Sequence, residues 1–298
     1  MSVKRYHCPG FVTGLRVYNQ FLLFRNEHPE YFYDDCIIDT IFDSFPNMTW
    51  NGGGYNMGEL MYLKDIEKLL DYYDDLNIAL QLTCTNPCLE EIDMYDRYCN
   101  AVLERFISHP LNSILVASPV LENYIRNKYP DAKIDWSIVA TTQPENINLD
   151  YNNYLDNYNR IVIPRIHSKD FDYLSRIDET KRDKIEILCT DPCPANCPRM
   201  ASHYKDYTRT TLFLTSEMEF PCTMLDREDL FTFKHKNDRI FYEELPKYQE
   251  LGYEHFKISG RKDQTTVIQN LIPYTVKPEY QYEMVFYLLA KSGGYIKK

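Results

Sequence analysis

Four cysteines form the group of residues in this chain with the clearest chemical potential. Cys189, Cys193, Cys197 and Cys222 lie within 34 residues, and three residues in a proline-containing turn separate Cys193 from Cys197. Thiolates bind soft metals, such as zinc or the iron of iron–sulfur clusters. The group therefore predicts a metal site on a loop at about residues 189–222. The alternative is that Cys189 packs in the core and the others are ordinary loop thiols.

Three further residues could belong to this metal chemistry, but their types also suit structural roles. His203 follows Cys197 by six residues, and we favour a supporting hydrogen-bond donor or a structural histidine over a metal ligand. Cys84 and Cys88 form a second pair with three residues between them. Because free cysteines are common small core residues, packing is the favoured role for this pair.

A glycine-rich loop is the second candidate site. Gly52, Gly53 and Gly54 follow Trp50 and Asn51 directly. Consecutive glycines let the backbone approach a ligand closely, and the tryptophan offers a flat apolar face next to an amide. The segment predicts a substrate contact. The alternative is a tight loop that Trp50 packs.

Two cations near the C-terminus form the third candidate site. Alternation along the last predicted strand places Lys257 and Ser259 on one face and Phe256 and Ile258 on the other, with Arg261 at the end of the strand. In a chain of net charge −11, two neighbouring cations indicate an anionic group on the substrate. The alternative is that each cation pairs with a nearby Asp or Glu.

The elements that must position these residues alternate along the whole chain. Short apolar runs cover residues 11–15, 36–42, 78–83, 113–118, 133–138, 160–166, 184–189 and 254–259. Helical spacing covers residues 57–74, 89–107, 119–128, 168–177, 239–251 and 263–273, while residues 191–229 look irregular. Eight such repeats predict an α/β fold, a single-domain (β/α)8 TIM-like barrel over residues 1–298 with mostly parallel strands. A doubly wound open sheet usually needs fewer strands and a glycine-rich first turn.

Composition excludes several classes of protein. The 33 basic and 44 acidic residues give 33 − 44 = −11, which disfavours a broad nucleic-acid-binding or anionic-lipid surface. The chain has neither a G-x-G-x-x-G nor a G-x-x-x-x-G-K-[ST] motif, so the usual dinucleotide and nucleotide loops are absent from the sequence. No apolar run is long enough to span a membrane, and the first residues lack the apolar core of a signal peptide. We therefore expect a cytoplasmic protein with no membrane partner.

Several motifs, taken in order, resemble the U32 peptidase family of collagenase-like barrels, in an uncharacterised branch. They are Lys184-Ile185-Glu186-Ile187-Leu188, Cys193-x3-Cys197-Pro198-Arg199, His203-Tyr204, Phe256-Lys257-Ile258-x-Gly260-Arg261, Phe45-Pro46 with Trp50-Asn51-Gly52-Gly53, Thr85-Asn86, and Val276-Lys277-Pro278-Glu279-Tyr280. The resemblance spans roughly residues 36–282.

The resemblance implies a cofactor and its ligands. Better-known relatives hold a [4Fe–4S] cluster with four cysteines and support oxygen-independent hydroxylation of RNA bases or quinone precursors. Carried over by position, the metal ligands are Cys193, Cys197, Cys222 and, as the nearest in sequence, Cys189, with Cys84 or Cys88 as alternatives for the fourth. The expected substrate-binding residues are Trp50, Asn51, Asn86, Lys257 and Arg261.

The predicted function is an iron–sulfur-dependent enzyme that acts on an anionic small molecule or a nucleobase. Gly54 stands where comparable members often carry an arginine, which puts one substrate contact in doubt. A zinc-stabilised, non-catalytic barrel with a binding or assembly role is the alternative. A peptidase ranks last, because the chain has no H-E-x-x-H motif and no nucleophile tied to a recognisable base.

Overall fold

The computed structural model describes residues 3–52, 61–190, 193–212 and 239–293. Within these ranges eight parallel strands close into a barrel in chain order, with β1 hydrogen-bonded to β8. The strands are β1 Lys4–Pro9, β2 Cys36–Asp43, β3 Ala79–Cys84, β4 Ser113–Val116, β5 Ile134–Trp136, β6 Arg160–Val162, β7 Ile185–Leu188 and β8 His255–Lys257. The structure thus confirms the predicted (β/α)8 barrel.

Helices follow the strands and cover the outside of the barrel. They are α1 Leu15–Glu27, α2 Leu63–Asp75, α3 Arg97–Phe106, α4 Pro119–Lys128, α5 Ile138–Thr141, α6 Phe171–Ser175, α7 Met200–Thr211, α8 Leu245–Glu250, α9 Gln264–Thr275 and α10 Gln281–Ser292. At the start of several helices, a side chain caps the first turn by accepting a backbone hydrogen bond. Ser118 accepts a hydrogen bond from the backbone of α4 just before Pro119, and Asp263 does the same for α9.

The first strand is where the sequence-based assignment was wrong. The apolar run at residues 11–15 is a turn that leads into α1, and β1 lies earlier, at Lys4–Pro9. Arg5 and His7 alternate with the buried Tyr6 and Cys8. Arg5 pairs with Asp39 on β2, and His7 lies 3.0 Å from Glu186 on β7, across the barrel interior. A search for apolar runs misses a strand whose inward face is charged.

Two further assignments differ from the structure. The predicted helix over residues 89–107 is a short 3-10 turn, Glu91–Tyr95, followed by α3, because Asp96 caps a new helix through the backbone N–H of Cys99. The stretch expected to be irregular contains α7, which begins three residues after Cys197. Cys222 and Gly54 lie outside the described residues.

The interior of the barrel is polar toward the amino ends of the strands and apolar toward their carboxyl ends. Glu186, Gln81 and Asp135 lie in the polar layer, with Gln81 Nε2 2.6 Å from an Asp135 oxygen. Two residues beyond Ser113, Arg160 and Glu186 on β4, β6 and β7, the side chains of Leu115, Val162 and Leu188 pack together. Because alternate residues of a strand share a face, these apolar residues lie between the charged layer and the rim on β4, β6 and β7, whereas on β3 the residue two beyond Gln81 is the polar Thr83.

No helix in the described part of the chain is long and apolar enough to cross a membrane.

Candidate functional site

Polar side chains at the carboxyl end of β3 and in the loops after β2, β3 and β8 meet at the rim, around Asn51. Asn51 is fully buried, and its Nδ2 donates to Ser44 Oγ at 2.8 Å. Its Oδ1 accepts from Arg261 Nη2 at 3.0 Å and from the hydroxyls of Thr83 and Thr85 at 3.3 Å each. The structure therefore brings together two of the predicted substrate-binding residues, Asn51 and Arg261, through a direct hydrogen bond.

Arg261 reaches this cluster because the preceding residue is glycine. Gly260 has a φ of +106°, and a Cβ there would lie 2.9 Å from a methyl carbon of Thr266. The Arg261 side chain is only 11% exposed; its Nη1 hydrogen-bonds to Thr83 Oγ1 and lies 3.5 Å from Asp43 Oδ1. Burial lowers the pKa of Arg261, and the Asp43 charge opposes that shift. The guanidinium is thus held as an ion pair at the rim.

Asp43 also fixes the chain beyond β1. Its Oδ2 accepts hydrogen bonds from the backbone N–H groups of Val12 and Thr13 at 3.1 and 3.0 Å. One carboxylate therefore connects the loop after β1, the end of β2 and Arg261 after β8. Because β1 lies between β2 and β8 in the barrel, these contacts join three neighbouring loops of one rim.

The cysteine-bearing segment lies over the same rim. A Cβ on Gly52 would come within 2.7 Å of the Thr208 methyl carbon in α7 and 2.8 Å of the Asn86 backbone, so the three residues are tightly packed. At the start of the segment, Ser259 N donates to Thr190 Oγ1 at 2.6 Å, which joins it to the loop after β8. The segment from Thr190 to α7 therefore borders the loops after β2, β3 and β8.

The thiols of this region differ in their surroundings. Cys193 and Cys197 are half-buried, whereas Cys189 is buried and its Sγ lies 3.6 Å from Ile187 O. Burial raises the pKa of Cys189 and, together with the neighbouring Cys99, that of Cys84. Among the described residues, no three cysteine sulfur atoms lie within 4.8 Å of one another. Because Cys222 lies outside those residues, the metal ligand set stays a prediction.

Cys88 faces the exposed cations of α7. Burial raises the pKa of its half-buried thiol, while the Arg209 and Lys205 charges lower it and Arg209 hydrogen-bonds to the sulfur. This contact places a third half-buried thiol against the helix that follows Cys193 and Cys197. Cys88 therefore remains a candidate for the fourth metal ligand.

Trp50 and Asn86 hold the loops of the rim in place. The Trp50 indole is fully buried, and its Nε1 donates to the Asp93 carbonyl at 2.9 Å. Asn86 Nδ2 donates to the Thr49 carbonyl, and its Oδ1 accepts from Cys88 N, both at 2.8 Å. These contacts give both residues a packing role, and their part in substrate binding stays a prediction.

Lys257 lies inside the barrel, in the charged layer. Its Nζ is 2.8 Å from Glu186 Oε2 and 2.7 Å from Gln81 Oε1, and it sits over the Phe42 ring. Burial raises the pKa of Glu186, but the nearby His7 and Lys257 charges outweigh burial and hold that pKa well below its usual value. Lys257 is thus paired within the barrel, and its binding of a substrate anion stays a prediction.

A solved structure shows a likeness to this chain in overall fold. No family model matches the chain, and no curated protein matches it. The solved structure of the U32 peptidase Mk0906 aligns with 87% of this chain and 94% of that one, at 14% sequence identity and a TM-score of 0.47. In overall fold, this chain resembles that U32 peptidase.

The rim contains three residues that the sequence motifs did not indicate. Asp43, Ser44 and Thr83 all contact Arg261. Each lies at or next to the carboxyl end of β2 or β3, which is where barrel sites form. In the sequence, only their position at the end of a predicted strand could have indicated these residues as part of the site. Single Asp, Ser and Thr residues are too common to form a recognisable motif.

Proposed function

We propose that this protein is an iron–sulfur-dependent enzyme that binds an anionic small molecule or a nucleobase at the carboxyl-end rim of its barrel. The observation that supports the proposal is the packing of Thr208, in the helix after Cys193 and Cys197, against Gly52 beside Asn51. A group held by those cysteines would lie on the same rim as Arg261. Active sites of (β/α)8 barrels form on this rim.

The half-buried thiols are suited to hold the cluster. Cys193 and Cys197 are partly accessible, and the turn between them brings two sulfur donors into one loop. Thiolates are the usual ligands of iron–sulfur clusters. Cys222 completes a set of three in the proposal, with Cys189, Cys84 or Cys88 as the fourth. No disulfide joins two of the eight described cysteines, and a cytoplasmic, reducing compartment is part of the proposal.

Positive charge at the rim supports an anionic substrate. Lys205 and Arg209 are exposed on α7 beside Cys88, and Arg261 lies at the adjoining loop. Three cations in one region of a chain of net charge −11 favour a carboxylate or phosphate there. In this proposal Arg261 orients the anionic group with its planar guanidinium, while Asn51 and Thr83 fix the position of that guanidinium. The cluster would supply electrons or bind the substrate at an open iron.

The proposal is tested by anaerobic purification, followed by measurement of iron, zinc, acid-labile sulfide and the visible absorption spectrum. The wild-type chain should be brown and contain iron and sulfide in equal amounts. Cys193→Ser and Cys197→Ser should each lose both. Cys36→Ser is the matched control, because Cys36 lies at the amino end of β2 and a serine there can still donate to the Tyr33 carbonyl.

Two results would overturn the proposal. A colourless wild-type chain with zinc and no sulfide would support the zinc-stabilised, non-catalytic barrel instead. Full retention of iron and sulfide in both Cys193→Ser and Cys197→Ser would show that the cluster is bound elsewhere.

A further inference from the structure

A second group of metal-binding side chains lies inside the barrel, near the amino ends of its strands. His7 in β1, Asp39 in β2 and His255 in β8 each offer one ligand atom, and these atoms all lie within 4.8 Å of one another. His7 Nε2 is 2.8 Å from His255 Nδ1 and 3.9 Å from Asp39 Oδ2. Because β1 is hydrogen-bonded to both β2 and β8, the three residues come from three adjacent strands.

Glu186 favours the tautomer of His7 that a metal requires. Its Oε1 lies 3.0 Å from His7 Nδ1, close but poorly aligned, and among the described residues that nitrogen makes no hydrogen bond. Lys257 Nζ, 2.8 Å from Glu186 Oε2, pairs with the other oxygen of this carboxylate. A proton on Nδ1 therefore faces a carboxylate and leaves the Nε2 lone pair directed at His255 and Asp39. Histidine ligands of metals commonly have such a carboxylate on their other nitrogen.

His255 can supply a second nitrogen ligand. Its side chain is buried, and its Nδ1 faces His7 Nε2 at 2.8 Å. In the metal-free chain one proton must lie between Nδ1 of His255 and Nε2 of His7, since two lone pairs at 2.8 Å repel. A shift of the His255 proton to Nε2 leaves both facing nitrogens free to bind one ion.

Asp39 supplies the oxygen ligand. Its Oδ1 accepts from Arg5 Nη1 at 3.0 Å, while its Oδ2 faces His7 and lies 3.6 Å from Arg160 Nη2. The guanidinium groups of Arg5 and Arg160 thus both pair with this carboxylate. Arg5 and Arg160 are 39% and 21% exposed, so both can turn toward solvent, and Arg5 already lies 3.6 Å from Glu254. The cations therefore need not prevent binding.

We propose that His7 Nε2, His255 Nδ1 and Asp39 Oδ2 bind a divalent transition-metal ion, such as Zn²⁺ or Fe²⁺. Two imidazoles and one carboxylate are a donor set that these ions prefer. The site connects β8, the last strand, to β1 and β2, so the ion stabilises the closure of the barrel. It lies at the opposite end of the strands from the cysteine segment, and it is independent of the proposed iron–sulfur function.

The test uses the full chain, stripped of metal with a chelator and titrated with Co²⁺ and then with Zn²⁺. Cobalt bound by nitrogen and oxygen ligands gives visible d–d bands without the near-ultraviolet thiolate bands that cysteine ligands add. We expect each chain to bind one equivalent of Co²⁺ that shows d–d bands without thiolate bands. Zn²⁺ should displace this Co²⁺ and increase Tm when it binds. The absence of thiolate bands from this equivalent distinguishes it from any metal on Cys193 and Cys197.

Three variants assign the ligands. Asp39→Asn and His255→Gln should each weaken Co²⁺ binding at least tenfold. Glu254→Gln is the control, because it removes a carboxylate at the same end of the barrel that is not one of the three ligands. Asp39 is partly exposed, so Asp39→Asn should still fold if His255→Gln does not. The proposal is overturned if the wild-type chain binds no Co²⁺ free of thiolate bands, or if Asp39→Asn binds it as tightly as the wild type.

Discussion

Gly52 lies directly against Thr208, so the loop after β2 and the helix after the cysteine turn share a tightly packed contact. A methyl group at Gly52 would come 2.7 Å from the Thr208 methyl carbon and 2.8 Å from the Asn86 backbone. Gly52→Ala should therefore displace α7 from the rim and reduce iron content in the anaerobically purified chain, by about twofold or more. It should lower the free energy of unfolding by roughly 1–3 kcal/mol.

The double variant Gly52→Ala with Thr208→Gly is the control for that contact. Removing the Thr208 side chain relieves part of the clash, so the double variant should regain iron relative to Gly52→Ala alone. If Gly52→Ala retains the full iron content, the contact between α7 and the rim does not matter for the metal site.

Arg261→Lys tests whether the rim cation serves the substrate. A lysine cannot present two parallel N–H groups to a carboxylate or phosphate, so binding of the anionic substrate should weaken about tenfold or more, roughly 1.5–3 kcal/mol. Iron content should not change. Lys262→Gln is the control, since it removes an exposed cation from the next position along the chain. Unfolding or loss of metal in Arg261→Lys would instead show that the ion pair with Asp43 is purely structural.

Lys257→Met tests the paired state of the interior lysine. It leaves the buried Glu186 charge without its 2.8 Å partner, which should cost about 3–5 kcal/mol of unfolding free energy in urea. The double variant Lys257→Met with Glu186→Gln should be more stable than Lys257→Met alone, because no buried charge is stranded. If Lys257→Met is as stable as the wild type but no longer binds the anion, Lys257 binds the substrate rather than pairing with Glu186.

The strands that the sequence predicted best are those buried on both faces. Runs such as Ser113–Val116 and Ile185–Leu188 are short and almost wholly apolar outside one polar position, and the structure has strands there. β1 was missed because its inward residues, Arg5 and His7, gain stability from acidic partners on other strands. Such partners are distant in sequence, so a local pattern does not reveal them.

The sequence also indicated only part of the candidate site. Cysteine spacing and the Trp50-Asn51 segment indicated where to look, and Asn51 does contact Arg261. The sequence did not indicate that Lys257 would pair inside the barrel with Glu186, because which layer a strand residue occupies depends on where the barrel closes. The group of His7, Asp39 and His255 was also missed, since His255 follows Asp39 by 216 positions along the chain and only closure of the barrel brings them together.

Asp35 gives the fold a predictable response to acid. Burial raises the pKa of Asp35, but hydrogen bonds from Lys4 and Tyr242 outweigh burial and lower it below its usual value of 3.8. The ionised carboxylate therefore stabilises the fold at pH values above 3.8, the usual pKa of the group in the unfolded chain. This stabilisation is lost as the pH falls through the lower pKa of the folded state. Asp35→Asn should cost about 2 kcal/mol near neutral pH, because the buried Lys4 loses its ion-pair partner.

Urea unfolding of the wild type and Asp35→Asn at several pH values measures this difference. It should shrink steadily once the pH drops below 3.8. A difference that stays constant down to strong acid would contradict the ion-pair explanation.

The most direct measurement for the proposed function is anomalous diffraction at the iron edge from crystals grown anaerobically. We expect a strong iron peak about 2.3 Å from the sulfur atoms of both Cys193 and Cys197, on the rim that Thr208 and Gly52 share. Crystals of a chain with full iron content but no iron peak beside those two sulfur atoms would contradict it.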